Sequence, residues 1–168
     1  MTEKLNITIV EDHKLVASLL QKQLGRLDFV TSVSVYNSSK TFLGLCDALD
    51  FDTLFVDLLM PEVRGEIIIE KIRANPKKTH VKILVLSGVT HAMVIKDTIA
   101  LGANAYLTKD IDIREIQAAL KTIYEDGNVY LAEGIKDAFI QGQLNPKYNI
   151  LLTPKEREVL LLTCEGKS

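Results

Sequence analysis

Apolar and polar residues alternate along this chain in two rhythms. Short β-branched runs at Leu5–Val10, 33–36, 53–56, 81–86 and 103–107 read as strands, each followed by apolar positions three and four residues apart. Residues 13–27 carry Val16, Leu19, Leu20, Leu24 and Leu27 at that helical spacing. Phe42, Leu45, Cys46 and Leu49 repeat it behind a Ser38 or Ser39 cap. Further helices are expected over 67–74, stopping before Asn75-Pro76, over 92–101, ending at Gly102, and over 111–124, ending before Asp126-Gly127. Strands that read as continuous apolar runs belong to a parallel sheet buried on both faces. Residues 1–125 are therefore expected to form a doubly wound, five-stranded parallel α/β sheet with right-handed crossovers.

After Gly127 the texture changes. An apolar stretch at 128–131, a short helix at 132–141 and a breaker-rich stretch at 142–146 suit a helical linker over 126–150. A separate helix is signalled over 152–166, with Thr153 as cap, Pro154 at its first position, Glu156 three residues beyond the cap and Gly166 at its end. Its apolar residues Val159, Leu160 and Leu162 need a partner surface. Residues 151–168 are accordingly read as the opening of a further domain that continues past Ser168.

Composition narrows the class. Of 168 residues, 47% are hydrophobic and 25% charged, as a globular core requires and a disordered chain would not show. Lys and Arg number 20 against 22 Asp and Glu, so no global basic field draws in nucleic acid. Cys46 and Cys164 have no Cys or His neighbours at metal-ligand spacing, which argues against a disulfide framework or a zinc site and fits a reducing compartment. The first apolar run is short and ends in two acids, unlike a signal peptide, and no segment approaches a membrane span. A cytoplasmic protein with no membrane partner is expected.

The strand ends hold the candidate chemistry. Strand one ends in Glu11-Asp12, strand three in Asp57, strand four in Ser87 and strand five in Thr108-Lys109. In a doubly wound sheet these ends converge on one crevice. Three carboxylates brought together repel one another, and Mg²⁺, with its preference for carboxylate and phosphate oxygens, removes that repulsion. Lys109 adds a positive charge and Ser87 a hydroxyl donor, both suited to a phosphoryl group. The pattern points to Asp57 attacking a phosphoryl donor and keeping the phosphate. Each residue alone has an ordinary reading. Asp57 or Glu11-Asp12 could cap helices, Ser87-Gly88 could be a plain turn, Lys109 a surface lysine and Tyr106 a core aromatic. His13 is read as a partly exposed residue early in the first helix, and neither His13 nor His91 has a second histidine at ligand spacing.

Taken in order, these motifs resemble the receiver domain of two-component response regulators, a CheY-like fold. They are Glu11-Asp12, Asp57 within VDLLMPEVRG, Ser87-Gly88, Tyr106, and Lys109 within LTKD. The resemblance implies that Asp57 is the phosphoacceptor and that Glu11, Asp12, Asp57 and the backbone carbonyl of Leu59 hold Mg²⁺. It also implies that Ser87 and Lys109 contact the phosphoryl group, and that Ser87 and Tyr106 form the switch. Residues 128–168 resemble the NarL/LuxR (FixJ) family, with LLTPKEREVLLLTCEGKS as the opening of its helix-turn-helix domain. In that family the DNA-reading helix follows the Gly-Lys-Ser position, so no DNA-binding residue is expected within this chain.

The implied function is a phosphorelay switch fed by a sensor histidine kinase, dimerising on activation and controlling transcription, with no enzymatic activity beyond its own phosphorylation and slow dephosphorylation. The alternative is a stand-alone receiver acting through protein contacts or as a phosphate sink. A hydrolase of the haloacid dehalogenase class would need a second acid two residues beyond Asp57, where Leu59 stands. Two departures from the receiver pattern stand out. Asp110 occupies a position where many receivers have proline, and a cis bond before a non-proline residue costs about 2.5–4 kcal/mol. Leu59 and Val89, two residues beyond Asp57 and Ser87, are apolar and cannot orient a hydrolytic water, so slow phosphate loss is expected.

Overall fold

The computed structural model describes residues 4–110 and 112–144. The helix expected over 152–166, the helix-turn-helix fragment and Cys164 lie outside the described residues. Six parallel strands form one sheet in the order β2-β1-β3-β4-β5-β6. They are β1 Leu5–Val10, β2 Val30–Tyr36, β3 Thr53–Asp57, β4 Lys82–Leu86, β5 Ala105–Leu107 and β6 Tyr130–Leu131. Every residue of β3 and β5 is buried, including the polar Thr53 and Asp57 at the two ends of β3. The order reverses at β1, so right-handed crossovers put α1 (Lys14–Leu24) on the opposite face from α2 (Ser39–Leu45) and α3 (Gly65–Ala74).

The helices follow their local signals. Ala17, Leu20 and Leu24 of α1 are buried. Ser38 caps α2 by accepting the Thr41 N–H at 3.1 Å. Asn75-Pro76 stops α3, whose Ile68, Ile69 and Ile72 enter the core while Ile67 stays half-exposed. Helix α4 (Ala92–Ala100) gives way at Gly102, whose φ of 108° is open to glycine and strained for other residues. Helix α5 (Ile113–Lys121) starts from Asp112, which accepts the Arg114 N–H at 2.7 Å, and runs on through a π-helical turn, Thr122–Asp126. No cis peptide bond occurs among the described residues.

The sheet has one strand more than the five expected. The apolar stretch at 128–131 supplies β6, which pairs in parallel with β5 through Ala105↔Tyr130 and Tyr106↔Leu131. A two-residue strand is too short for alternation to register in the sequence. Helix α6 (Glu133–Leu144) follows and packs against α4, with Ala132 and Ile135 joining the core. The sheet therefore runs past residue 125, into the segment expected to be linker.

One guanidinium fastens several of these pieces together. Arg73, near the end of α3, donates to the Val81 carbonyl at 2.9 Å, twice to the Gly102 carbonyl at 2.9 and 2.8 Å, and to Asn104 Oδ1 at 2.8 Å. Asn104 Oδ1 also accepts the Ile83 N–H at 2.9 Å. Replacing Arg73 with alanine leaves these acceptors without their charged donor, and the expected loss in urea unfolding is about 2–3 kcal/mol. A loss below about 0.5 kcal/mol would show that water serves the carbonyls equally well.

Candidate functional site

The carboxyl ends of β1, β3 and β5 deliver three ionisable side chains to one point. Asp57 is the last residue of β3, in register with Leu86 of β4. Glu11 follows β1 directly and its N–H donates to the Tyr36 carbonyl of β2 at 3.1 Å. Lys109 stands two residues beyond β5. Its ammonium donates to Asp57 Oδ2 at 2.8 Å and to Glu11 Oε1 at 3.0 Å. Both carboxylates are fully buried, whereas the lysine side chain is 22% exposed. One cation thus compensates two buried anions.

Those charges pull on each other. Burial raises the Glu11 pKa above its ordinary value and the nearby Asp57 charge raises it further, with Lys109 opposing both. Burial on its own would lower the Lys109 pKa, but its bonds to and attraction by Asp57 and Glu11 together win, and the net direction is upward. Asp12 adds a third, partly exposed carboxylate. Glu11 Oε2 has an ion-pair partner, the Lys109 ammonium at 3.0 Å, and Asp12 Oδ1 has the His13 ring at 3.3 Å, but neither makes a well-directed hydrogen bond. Three carboxylates thus share one lysine. The donor set is made of hard oxygens, the kind that holds a divalent cation such as Mg²⁺.

The surrounding loops hold this arrangement in place. Asp57 Oδ1 accepts the Leu59 N–H at 3.1 Å, so both of its oxygens are fixed. The loop after Asp57 is latched to the start of α2: Ser38 Oγ bonds Glu62 and the Val63 N–H donates to Ser39 Oγ at 2.9 Å. Asn37 donates to the Glu11 carbonyl at 2.8 Å. Gly65 closes the loop, its N–H bonding the Leu58 carbonyl at 3.1 Å.

The remaining residues expected at the site lie beside it. Ser87 is fully buried at the end of β4, with Oγ accepting the Val89 N–H at 3.1 Å and its own N–H donating to the Leu107 carbonyl at 3.0 Å. Tyr106 is also buried, paired in register with Val85, and its hydroxyl donates to the Val89 carbonyl at 2.8 Å. The Tyr106 carbonyl in turn accepts the Ala132 N–H at 3.0 Å, ahead of α6. Hydrogen bonds therefore run from Ser87 through Val89 and Tyr106 to the β6–α6 segment. His91 is engaged elsewhere, as the cap of α4.

Sequence reasoning missed two features. The Ser38–Ser39 latch looked only like a choice of helix cap, because the sequence does not say which loop meets those hydroxyls. The His13 ring was read as merely exposed, yet its Nδ1 lies 3.0 Å from Glu11 Oε1 and 3.3 Å from Asp12 Oδ1. Its adjacency to two site acids was the available signal.

Residues 7–121 match the family described as the response regulator receiver domain, and the chain belongs to that family. Its relatives are response regulators of the NarL type. Transcriptional regulatory protein MctR of Rhizobium johnstonii is 27% identical, over 100% of this chain and 78% of its own length. Nitrate/nitrite response regulator protein NarL of Escherichia coli K12 is 24% identical, over 98% of this chain and 77% of its own length. In fold, the chain is similar to RcsB from Salmonella enterica serovar Typhimurium bound to promoter rprA in the presence of the phosphomimetic BeF3-. That match has a TM-score of 0.75 at 23% identity, covering 98% of this chain and 80% of that one. No helix among the described residues is long and apolar enough to cross a membrane.

Gly65 offers a test of how tightly the loop is set. A Cβ there would collide with the Asp57 carbonyl oxygen and come within 2.8 Å of Leu58 Cα. Backbone atoms cannot step aside as a flexible side chain can, so Gly65→Ala is expected to cost about 1–3 kcal/mol in thermal unfolding. An unchanged melting temperature would mean that the loop has slack the structure does not display.

Proposed function

We propose that this chain is a phosphorylation-controlled switch in which Asp57 accepts a phosphoryl group from a sensor histidine kinase or a small acyl phosphate. The observation that carries the reading is the Lys109 ammonium at 2.8 Å from Asp57 Oδ2 and 3.0 Å from Glu11 Oε1, at the carboxyl edge of a receiver sheet. Glu11, Asp12, Asp57 and the Leu59 carbonyl would hold Mg²⁺, and the gathering of the three carboxylates within 4.8 Å of one another, with one lysine among them, supports that role. When bound, the ion supplies positive charge to the phosphoryl oxygens, where stabilisation of phosphoryl transfer mostly lies.

The chain's own groups do the rest. Leu59 and Lys109 fix the two oxygens of Asp57, so the carboxylate meets phosphorus already oriented. A carboxylate oxygen forms the new O–P bond and the P–N bond to the donor histidine breaks. The departing imidazole takes up a proton, and an acyl phosphate remains on Asp57. Lys109 follows the charge from carboxylate to phosphoryl oxygens, and Ser87, whose Oγ accepts from Val89, keeps its own proton to donate to one of them.

Tyr106 then ties the event to the output. A shift of Ser87 toward the phosphate moves Val89, and with it the acceptor of the Tyr106 hydroxyl. The populations of two states change only by the difference in such contacts. The transcription-regulator names of the relatives support an output at DNA, reached through dimerisation and a helix-turn-helix domain following residue 151.

Incubation with acetyl phosphate and magnesium should give a retarded band in a Phos-tag gel, lost in Asp57→Ala. A band that persists in that variant would overturn the assignment. The decay of the phosphorylated form tests the apolar flank. Val89 is buried and Leu59 packs on the core, so neither orients a water molecule. Leu59→Asn is expected to speed phosphate loss several-fold, and an unchanged decay rate would remove the explanation.

A further inference from the structure

The ladders of β1 stop one residue short of the chemistry. Val10 pairs with Val56 on one side and with Tyr36 on the other, and the pairing ends there. The short segment between β2 and α2 continues the hold. The Tyr36 carbonyl accepts the Glu11 N–H at 3.1 Å, and Asn37 donates to the Glu11 carbonyl at 2.8 Å. The next two residues grip the loop after Asp57: Ser38 Oγ bonds Glu62, and Ser39 Oγ accepts the Val63 N–H at 2.9 Å. Residues 36–39 thus bridge the two acid-bearing strand ends.

The side chains in this bridge are not equivalent. Asn37 is exposed and Ser38 half-buried, so water can stand in for either. Ser39 is 1% exposed, and removing its hydroxyl leaves the Val63 N–H facing a buried methyl. The loop has little slack to absorb that change. Leu58 and Met60 are buried, and Gly65 sits so close to the Asp57 carbonyl that a Cβ would collide with it. Between the two buried side chains, Leu59 offers its N–H to Asp57 Oδ1 at 3.1 Å. Burial fixes where Leu58 and Met60 enter the core, but the rotation of the peptide planes between them is set by the chain on either side. On one side that chain is β3, and on the other it is held at Val63.

We propose that Ser39 is a positioning residue for phosphoryl transfer: by holding Val63 it keeps the Leu59 N–H aimed at Asp57 Oδ1, and so orients the attacking carboxylate without touching the phosphoryl group. This rests on Asp57 being the phosphoacceptor, as proposed above. No bond to Ser39 forms or breaks in the transfer. A nucleophile turned out of line loses rate at the chemical step more than affinity for the donor. The effect follows the capacity of residue 39 to accept a hydrogen bond: threonine keeps it, cysteine accepts weakly and alanine not at all.

The test uses the full chain with acetyl phosphate at saturating magnesium chloride. Phos-tag gels follow the phosphorylated fraction, and circular dichroism checks the fold of each variant. Ser39→Ala should lower the maximal phosphorylation rate about tenfold, while the half-saturating acetyl phosphate concentration shifts less than about twofold. Ser39→Thr should return to within about threefold of the native rate, with Ser39→Cys between the two. A loss of stability alone would track the melting temperatures of the variants and not the acceptor strength at residue 39. The role of Ser39 is overturned if Ser39→Ala keeps the native maximal rate, if its loss lies wholly in the half-saturating concentration, or if Ser39→Thr and Ser39→Cys are both no faster than Ser39→Ala. The underlying reading fails separately. A band that survives Asp57→Ala would place the phosphoacceptor elsewhere whatever residue 39 does, and a native chain that gives no band would overturn both.

Discussion

The ammonium of Lys109, held between Glu11 and Asp57, is the contact on which the working edge of this protein depends. It joins the ends of β1, β3 and β5, which are far apart in sequence, through one group of atoms. Two carboxylates buried side by side cannot both stay ionised cheaply without it. The compensation is incomplete, because three acids meet one lysine. An edge so charged favours whatever brings positive charge.

Around that contact lies a set of couplings that share backbone groups. Val89 offers its N–H to Ser87 and its carbonyl to Tyr106. Tyr106 offers its hydroxyl to Val89 and its carbonyl to Ala132. Because each residue is engaged at both ends, neither can move without changing what the other bonds to. On the opposite flank, Asn37, Ser38 and Ser39 hold the Glu11 backbone and the loop beyond Asp57. Hydrogen bonds thus brace the site on both flanks.

Much of this was legible in the sequence, for physical reasons. Strands buried on both faces read as apolar runs, so β1, β3 and β4 announced themselves, and the acids that end β1 and β3 marked the crevice. Proline, serine and glycine signals located the ends of α2, α3 and α4. What the sequence did not disclose were features decided by contact rather than by pattern. Two residues are too few to alternate, so β6 stayed hidden until Tyr130 and Leu131 met β5. The orientation of the His13 ring depends on which acids lie beside it, and helical periodicity carries no such information. Nothing in the sequence pattern marks Arg73, which reaches three acceptors just ahead of β4 and β5, at Val81, Gly102 and Asn104.

The small strand β6 has a consequence beyond the site. A sheet that stopped at β5 would present Ala105, Tyr106 and Leu107, an apolar trio, as a bare rim of unsatisfied backbone groups. Such a rim is a template for strands from other molecules. Tyr130 and Leu131 occupy it from within the same chain, and α6 fastens them by packing on α4. Residues 130–131 thereby close an edge that would otherwise invite pairing with other molecules. Any displacement of this pair would bare that rim, so the packing of α6 on α4 bears on self-association as well as on the stability of the sheet.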